Sequence, residues 1–164
     1  MKPKLFRMGM FFCGLLYVAM IVMNLRAEIL YEKAGRLNRG KHTRFEAIQA
    51  AQAAAGSNPL RSDTRYFLYY LLNKKYISEK GLAWPERKRI RDLAGQEIRR
   101  AIYLEPAQAI YHADYANWLT KKGGMLKPQS RSIIEDELRQ AADLYPLYTE
   151  YRKEYDRMRA HHKV

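Results

Sequence analysis

Residues 94–123, AGQEIRRAIYLEPAQAIYHADYANWLTKKG, decide the fold. In the first half Ala94, Ile98, Ala101, Ile102 and Leu104 recur at three- and four-residue intervals, which places them on one stripe of a helix. In the second half Tyr111, Tyr115, Ala116 and Leu119 do the same. A proline cannot continue a helix interior and drives the residue before it out of the α region, so Glu105-Pro106 is the break between two helices. The stretch reads as a helical hairpin, and its small Ala side chains let the two arms approach closely.

The same corner recurs on either side. Ala51, Ala54 and Ala55 precede Pro59, and Leu138, Ala141 and Ala142 precede Pro146, as Ile98, Ala101 and Ile102 precede Pro106. After each corner comes a tyrosine pair four residues apart: Tyr66 and Tyr70, Tyr111 and Tyr115, Tyr151 and Tyr155. The sequence contains 13 tyrosines, and exposed aromatic rings could form a platform for sugars or bases. Because these six stand at repeat-equivalent positions, packing between hairpins is the favoured reading. The intervals between the three prolines fall in the range of helical solenoids, so the chain is expected to be a short array of hairpins.

The individual arms follow from their punctuation. Residues 27–39 form a first arm stopped by Gly40 in the left-handed conformation that closes a helix, and Thr43 caps the next with Glu46 as its capping-box partner. Further arms are expected at 45–55 and 61–78, the latter capped by Ser62 or Asp63, and another opens at Trp84 with Pro85 in its first turn. Gly123-Gly124 and Pro128 mark a loop before an arm at 132–144, whose Glu135, Asp136 and Glu137 would then sit in the first turns, favourable against the helix dipole. Pro146 turns the chain into a last helix, 147–162, with one wet side suited to an end cap.

With these residues in view the chain resembles the tetratricopeptide-repeat family over residues 27–164. Ala94, Ile98, Ala101 and Pro106 fall where that repeat has its second-helix Ala, Phe, Ala and closing Pro. Tyr115-Ala116, Leu119 and Gly123 fall where its first helix has Leu-Gly/Ala, Tyr and Gly. The corners inside the repeats, 77–87 and 123–132, are several residues longer than the family pattern. More narrowly, RAIYLEPAQAIYHADYANWL and QAADLYPLYTEY resemble the repeat region that follows the membrane domain in O-antigen polymerase or ligase type proteins. The first resemblance implies a concave groove lined by the first helix of each hairpin, which here would present Arg65 and Lys75, Asn117 and Lys121, and Lys153 and Arg157. Such a groove binds an extended segment of a protein partner or, with this charge, an acidic tail or anionic polymer such as a glycan. The plainer alternative is that these six are solvated side chains.

The N-terminal segment has a different character. Residues 5–25, LFRMGMFFCGLLYVAMIVMNL, include an uncharged run from Met8 to Met23, and at about 1.5 Å per residue they match a bilayer core of about 30 Å. Asn24-Leu25-Arg26-Ala27 lacks the small residues of a signal-peptidase site, so residues 1–26 are expected to stay as a single transmembrane signal anchor. Lys2, Lys4, Arg7 and the amino terminus precede the span and Arg26, Lys33, Arg36, Arg39 and Lys41 follow it, so the charge rule does not decide the orientation. The short N-terminal tail and the polysaccharide-enzyme resemblance favour an inner-membrane protein with its helical domain in the periplasm. Cys13 is the sole cysteine, so no intrachain disulfide can form.

Charge and chemistry set the function classes. Of the net charge of +13, four cations precede residue 27 with no acid among them, leaving +9 on residues 27–164. Such a surface attracts anionic lipid, acidic polymers or nucleic acid, the last the least favoured, and equally suits a solvated face beside a negatively charged membrane. No metal site is expected: Ala116 stands where a second ligand to His112 would be, and His161-His162 are adjacent and point apart on a helix. Glu135 to Glu137 have no neighbouring nucleophile, and Gly123-Gly124 lacks the Gly and Lys of a phosphate loop. No catalytic residue or cofactor is expected. The sequence therefore predicts an all-α protein, a single transmembrane helix followed by an antiparallel helical-hairpin solenoid, acting as a non-enzymatic scaffold or adaptor in cell-envelope polysaccharide assembly. A basic nucleic-acid-binding or anionic-lipid-binding protein is the alternative.

Overall fold

The computed structural model describes residues 3–40, 44–79, 81–121 and 128–160. All regular structure among them is helical: α1 Pro3–Arg39, α2 Arg44–Ser57, α3 Ser62–Ser78, α4 Trp84–Leu104, α5 Ala109–Lys121, α6 Pro128–Leu144 and α7 Thr149–Ala160. The chain divides into two compact units, residues 1–64 and 65–164. Thr43, Gly123, Gly124, His161 and His162, to which the sequence assigned a cap, a loop and an exposed terminus, lie outside the described residues.

In the first unit α1 runs unbroken through 37 residues, about 55 Å at about 1.5 Å per residue. It is long and apolar enough to cross a membrane, and its apolar stretch is not buried in the rest of the protein. Every side chain from 8 to 26 is exposed, and burial begins at Ala27. From there Ala27 and Ala34 pack into the core with Ala47, Ala50, Ala51, Ala54 and Ala55 of α2. Alanines on both arms bring the backbones close, as their spacing implies. Gly40 closes α1 by donating its N–H to the Arg36 carbonyl at 3.0 Å. It does so without the expected left-handed backbone, since no described glycine has positive φ.

In the second unit the stripe read from residues 94–123 is the core. Ala94, Ile98 and Ala101 are fully buried on α4, and Tyr111, Ala113, Ala116, Trp118 and Leu119 are buried on α5. Ile134, Leu138, Ala141 and Ala142 continue the core on α6, while α7 buries none of its residues. Burying an aliphatic side chain the size of Ile98 contributes about 1.5–3 kcal/mol. Gly95 is small for a reason: a Cβ there would collide with the Trp118 ring.

The three proline corners share one geometry. The residue before each proline donates its N–H to the carbonyl four residues back: Asn58 to Ala54 at 3.2 Å, Glu105 to Ala101 at 2.9 Å, Tyr145 to Ala141 at 3.2 Å. Its own carbonyl then accepts from the residue three further on, Arg61 at 3.4 Å, Gln108 at 3.3 Å and Tyr148 at 3.1 Å. Glu105 has φ −145° and ψ 75°, outside the helical region as the following proline requires.

One expectation fails at α6. The helix begins at Pro128 instead of residue 132, because proline is tolerated at a first helical position where no N–H is needed. Its first turn therefore contains no acid, and Glu135, Asp136 and Glu137 lie in its middle.

Candidate binding groove

α6 packs against both α5 and the last described helix, α7. Between the three lies a cavity of about 230 Å³ lined by Ala116, Asn117, Thr120, Ile134, Leu138, Glu154, Arg157 and Met158. The floor is apolar, with Ala116, Ile134 and Leu138 all buried. The rim carries one carboxamide, one carboxylate and one guanidinium. An Asn side chain offers both donors and an acceptor, and Arg offers a planar fork that matches a carboxylate. Thr120 directs its hydroxyl back to the Ala116 carbonyl at 2.9 Å. The arrangement suits an extended chain whose side chain enters the apolar floor while its polar groups meet the rim.

Of the six groove residues read from the sequence, the fold brings Asn117 and Arg157 together at this cavity. Lys153 is exposed one turn before Arg157 and pairs with Glu150 at 2.8 Å. Lys121 ends α5, with its side chain outside the described residues. Arg65 and Lys75 are engaged on α3. Lys75 lies 3.9 Å from Glu79. Arg65 meets Glu97 at 3.0 Å, and Arg100 meets the other oxygen of the same carboxylate at 2.9 Å. The Glu97 side chain is 3% exposed, so two guanidiniums compensate an acid withdrawn from water. Glu154, Thr120 and Met158 were not singled out from the sequence. Glu154 lies three residues before Arg157 on the same helix face, and that spacing was the available signal.

The start of α5 is held by polar contacts the sequence did not reveal. His112, 2% exposed, places Nδ1 at 2.6 Å from Glu137 Oε2 and Nε2 at 2.8 Å from the Pro106 carbonyl. With Glu137 ionised both partners are acceptors, and donation from both ring nitrogens is then the work of the imidazolium. The Glu137 hydrogen bond is the largest cause raising the His112 pKa, with the Pro106 carbonyl and the Glu137 charge adding to it against desolvation. Glu137 is thus bound to a cation and is not the solvated helix-start acid expected. Nearby, Tyr66 donates to Asp114 Oδ2 at 2.7 Å, Tyr69 donates to the Asp114 carbonyl at 3.1 Å, and the Tyr66 and Tyr111 rings stack at 4.7 Å. Burial first, then Asp114, pushes both phenol pKa values up, keeping the hydroxyls as donors. Of the six repeat-position tyrosines, Tyr66 and Tyr111 pack between arms as their positions suggested, whereas Tyr70 is 42% exposed.

The fold is tetratricopeptide-like. The first such domain of Spaghetti (RPAP3), bound to the HSP90 peptide SRMEEVD, superposes with a TM-score of 0.63 over 86% of this chain and 96% of its own, at 13% identity. The Arabidopsis OM64 tetratricopeptide domain gives 0.63 over 85% and 98%, also at 13% identity. The Yersinia enterocolitica type III secretion chaperone SycD, in complex with a peptide of the translocator YopD, gives 0.55 over 81% and 86%, at 17% identity. No family model and no curated protein matches the sequence.

Proposed function

We propose that the chain is a membrane-anchored, non-enzymatic scaffold that docks an extended acidic segment of a protein partner in the cavity between α5 and α7. The observation that carries the reading is the meeting of Asn117, Glu154 and Arg157 over an apolar floor, on a fold whose solved neighbours include two bound to peptides. Arg157 receives a carboxylate, Asn117 pairs with the peptide backbone, and Lys153, one turn before Arg157, adds a second cation on the same helix. Arg65, joined to Glu97, and Lys75, beside Glu79, support the arm on which they stand.

In this reading residues 1–26 are the anchor and residues 27–164 the docking domain. The anchor crosses the inner membrane once and the docking domain faces the periplasm. The resemblance of 100–119 and 140–151 to O-antigen polymerase and ligase repeats supports a place in envelope polysaccharide assembly, where the partner would belong to an envelope complex.

The test is selection of peptides from a random library on the full chain in lipid nanodiscs, followed by affinity measurement. Enriched peptides should be acidic, and Arg157→Glu or Asn117→Ala should weaken them at least about tenfold, equivalent to about 1.4 kcal/mol. Arg139→Glu on the exposed face of α6 should leave affinity unchanged. Equal affinity for all three variants would refute the groove.

A second reading rests on the net charge of +9 that remains on residues 27–164 once the four cations before residue 27 are taken from +13: attachment of anionic lipid or nucleic acid to the basic surface. Binding would then be indifferent to partner sequence and would weaken steeply with salt.

A further inference from the structure

The end of the membrane helix and the first proline corner meet at one level, and this meeting has a partner of its own. Within the first unit, Asn58 follows α2 and is 9% exposed although polar. Its Nδ2 donates to Asn24 Oδ1 at 2.5 Å, and its Oδ1 accepts the Leu60 N–H at 3.1 Å. Three residues on, Arg61 reaches Glu28 at 2.5 Å and also pairs with Asp63. The corner Asn58-Pro59-Leu60-Arg61 is therefore fastened along one turn of α1, from residue 24 to residue 28.

The charges of α1 fix where that turn lies relative to a bilayer. Arg7 and Arg26 are the first charges on either side of the apolar run, and residues 8–25 between them rise about 27 Å against a hydrocarbon core of about 30 Å. The helix has no room to slide by a turn without drawing one arginine into hydrocarbon, so Asn24 stands at the headgroup boundary. The corner fastened to Asn24 stands there too. At its tip Leu60 is 78% exposed, a large aliphatic side chain facing outward where the chain turns back from the anchor. Arg26, two residues after Asn24 on α1, is exposed and available to lipid phosphate. Arg61, in contrast, has its charge balanced by Glu28 and Asp63, which lets it lie near the boundary without a lipid counter-ion.

We propose that the Pro59 corner is a second membrane-contact site, in which Leu60 enters the headgroup layer of the bilayer that α1 crosses. The proposal rests on the reading of α1 as a membrane anchor. Its consequence is mechanical: the α1–α2 hairpin stands on two feet, and the exit angle of α1 from the bilayer is fixed.

The test uses the full chain with Cys13→Ala as background, single cysteines at Val18, Leu60 or Phe45, and a nitroxide attached to each. Nanodiscs of three parts phosphatidylcholine to one of phosphatidylglycerol hold the protein, and collision with oxygen is compared with collision with a water-soluble nickel chelate. Val18 lies within the apolar run, and Phe45 is 57% exposed at the opposite end of α2. Oxygen should dominate at Val18 and nickel at Phe45, with Leu60 between them. Adding Asn58→Ala, which unfastens the corner, should move the Leu60 ratio toward that of Phe45 while the helical circular dichroism is retained. A Leu60 ratio equal to that of Phe45 in the parent protein, with Val18 in lipid, would overturn the corner contact and leave the anchor standing. Nickel dominating at Val18 as well would overturn the anchor and the corner with it.

Discussion

Gly95 and His112 show how single residues hold the second unit together. A Cβ at Gly95 would strike the Trp118 ring, whereas one at Gly35 of α1 would meet nothing within 4 Å. Gly95→Ala should therefore destabilise by about 1–3 kcal/mol through overpacking. Gly35→Ala, which only adds helix propensity, should be neutral or stabilising by up to about 1 kcal/mol. Urea unfolding in detergent, followed through Trp118 fluorescence for the first and circular dichroism for the second, separates the two. His112 makes a pH prediction with a definite sign. Its pKa in the folded protein is raised, chiefly by Glu137, so its contribution is complete below the free-imidazole value of about 6.5 and is lost as pH climbs through the higher folded value. His112→Gln should cost about 1.5–3 kcal/mol in mild acid, and its deficit relative to the parent protein should shrink in mild alkali. A deficit independent of pH would mean that the ring is neutral. Neither role was legible in the sequence: Trp118 is 23 positions from Gly95 and Glu137 is 25 from His112, and no local periodicity relates such residues.

At the scale of elements, the corners were legible because proline acts locally. It removes a donor and restricts the residue before it, and Pro59, Pro106 and Pro146 end their helices with matched hydrogen bonds. The alanine stripes were legible for the same reason, since helical spacing alone places them on one face. Pro128 misled the reading, because the residue that ends a helix also opens one, and only tertiary context tells which. The groove was half legible. Asn117 and Arg157 come from arms that the repeat pattern identified, but Arg65, from an equivalent arm, is drawn to Glu97 across 32 positions. An acid at position 97, on the helix face bounded by Ala94 and Ala101, was the sign that a cation must come to it. Arg65→Met should accordingly lower stability by about 1–3 kcal/mol by leaving Glu97 with Arg100 alone, and should leave peptide affinity unchanged. Paired unfolding and binding measurements on that variant check both halves.

For the whole molecule, an unbroken α1 joins an apolar run to the first arm of a tetratricopeptide-like fold. A continuous helix transmits its direction into the first hairpin, as a flexible linker would not. Docking and charge attraction also differ in how they scale with ionic strength. A peptide held by Arg157 and Asn117 makes few ionic contacts, so its affinity should fall only gently between low and physiological salt, while attachment through the broad surface charge should fall by orders of magnitude. Titration of a selected acidic peptide and of anionic vesicles over the same salt series reads the difference.

The claim that a partner is recognised between α5 and α7 is tested most directly by photocrosslinking in native membranes. A photoreactive amino acid is placed at Met158 in the cavity or at Tyr103, which is 87% exposed on α4. The account predicts one discrete crosslinked protein from position 158 that disappears with Arg157→Glu and is missing from position 103. The same product from both positions, or its persistence in the Arg157→Glu background, would contradict it.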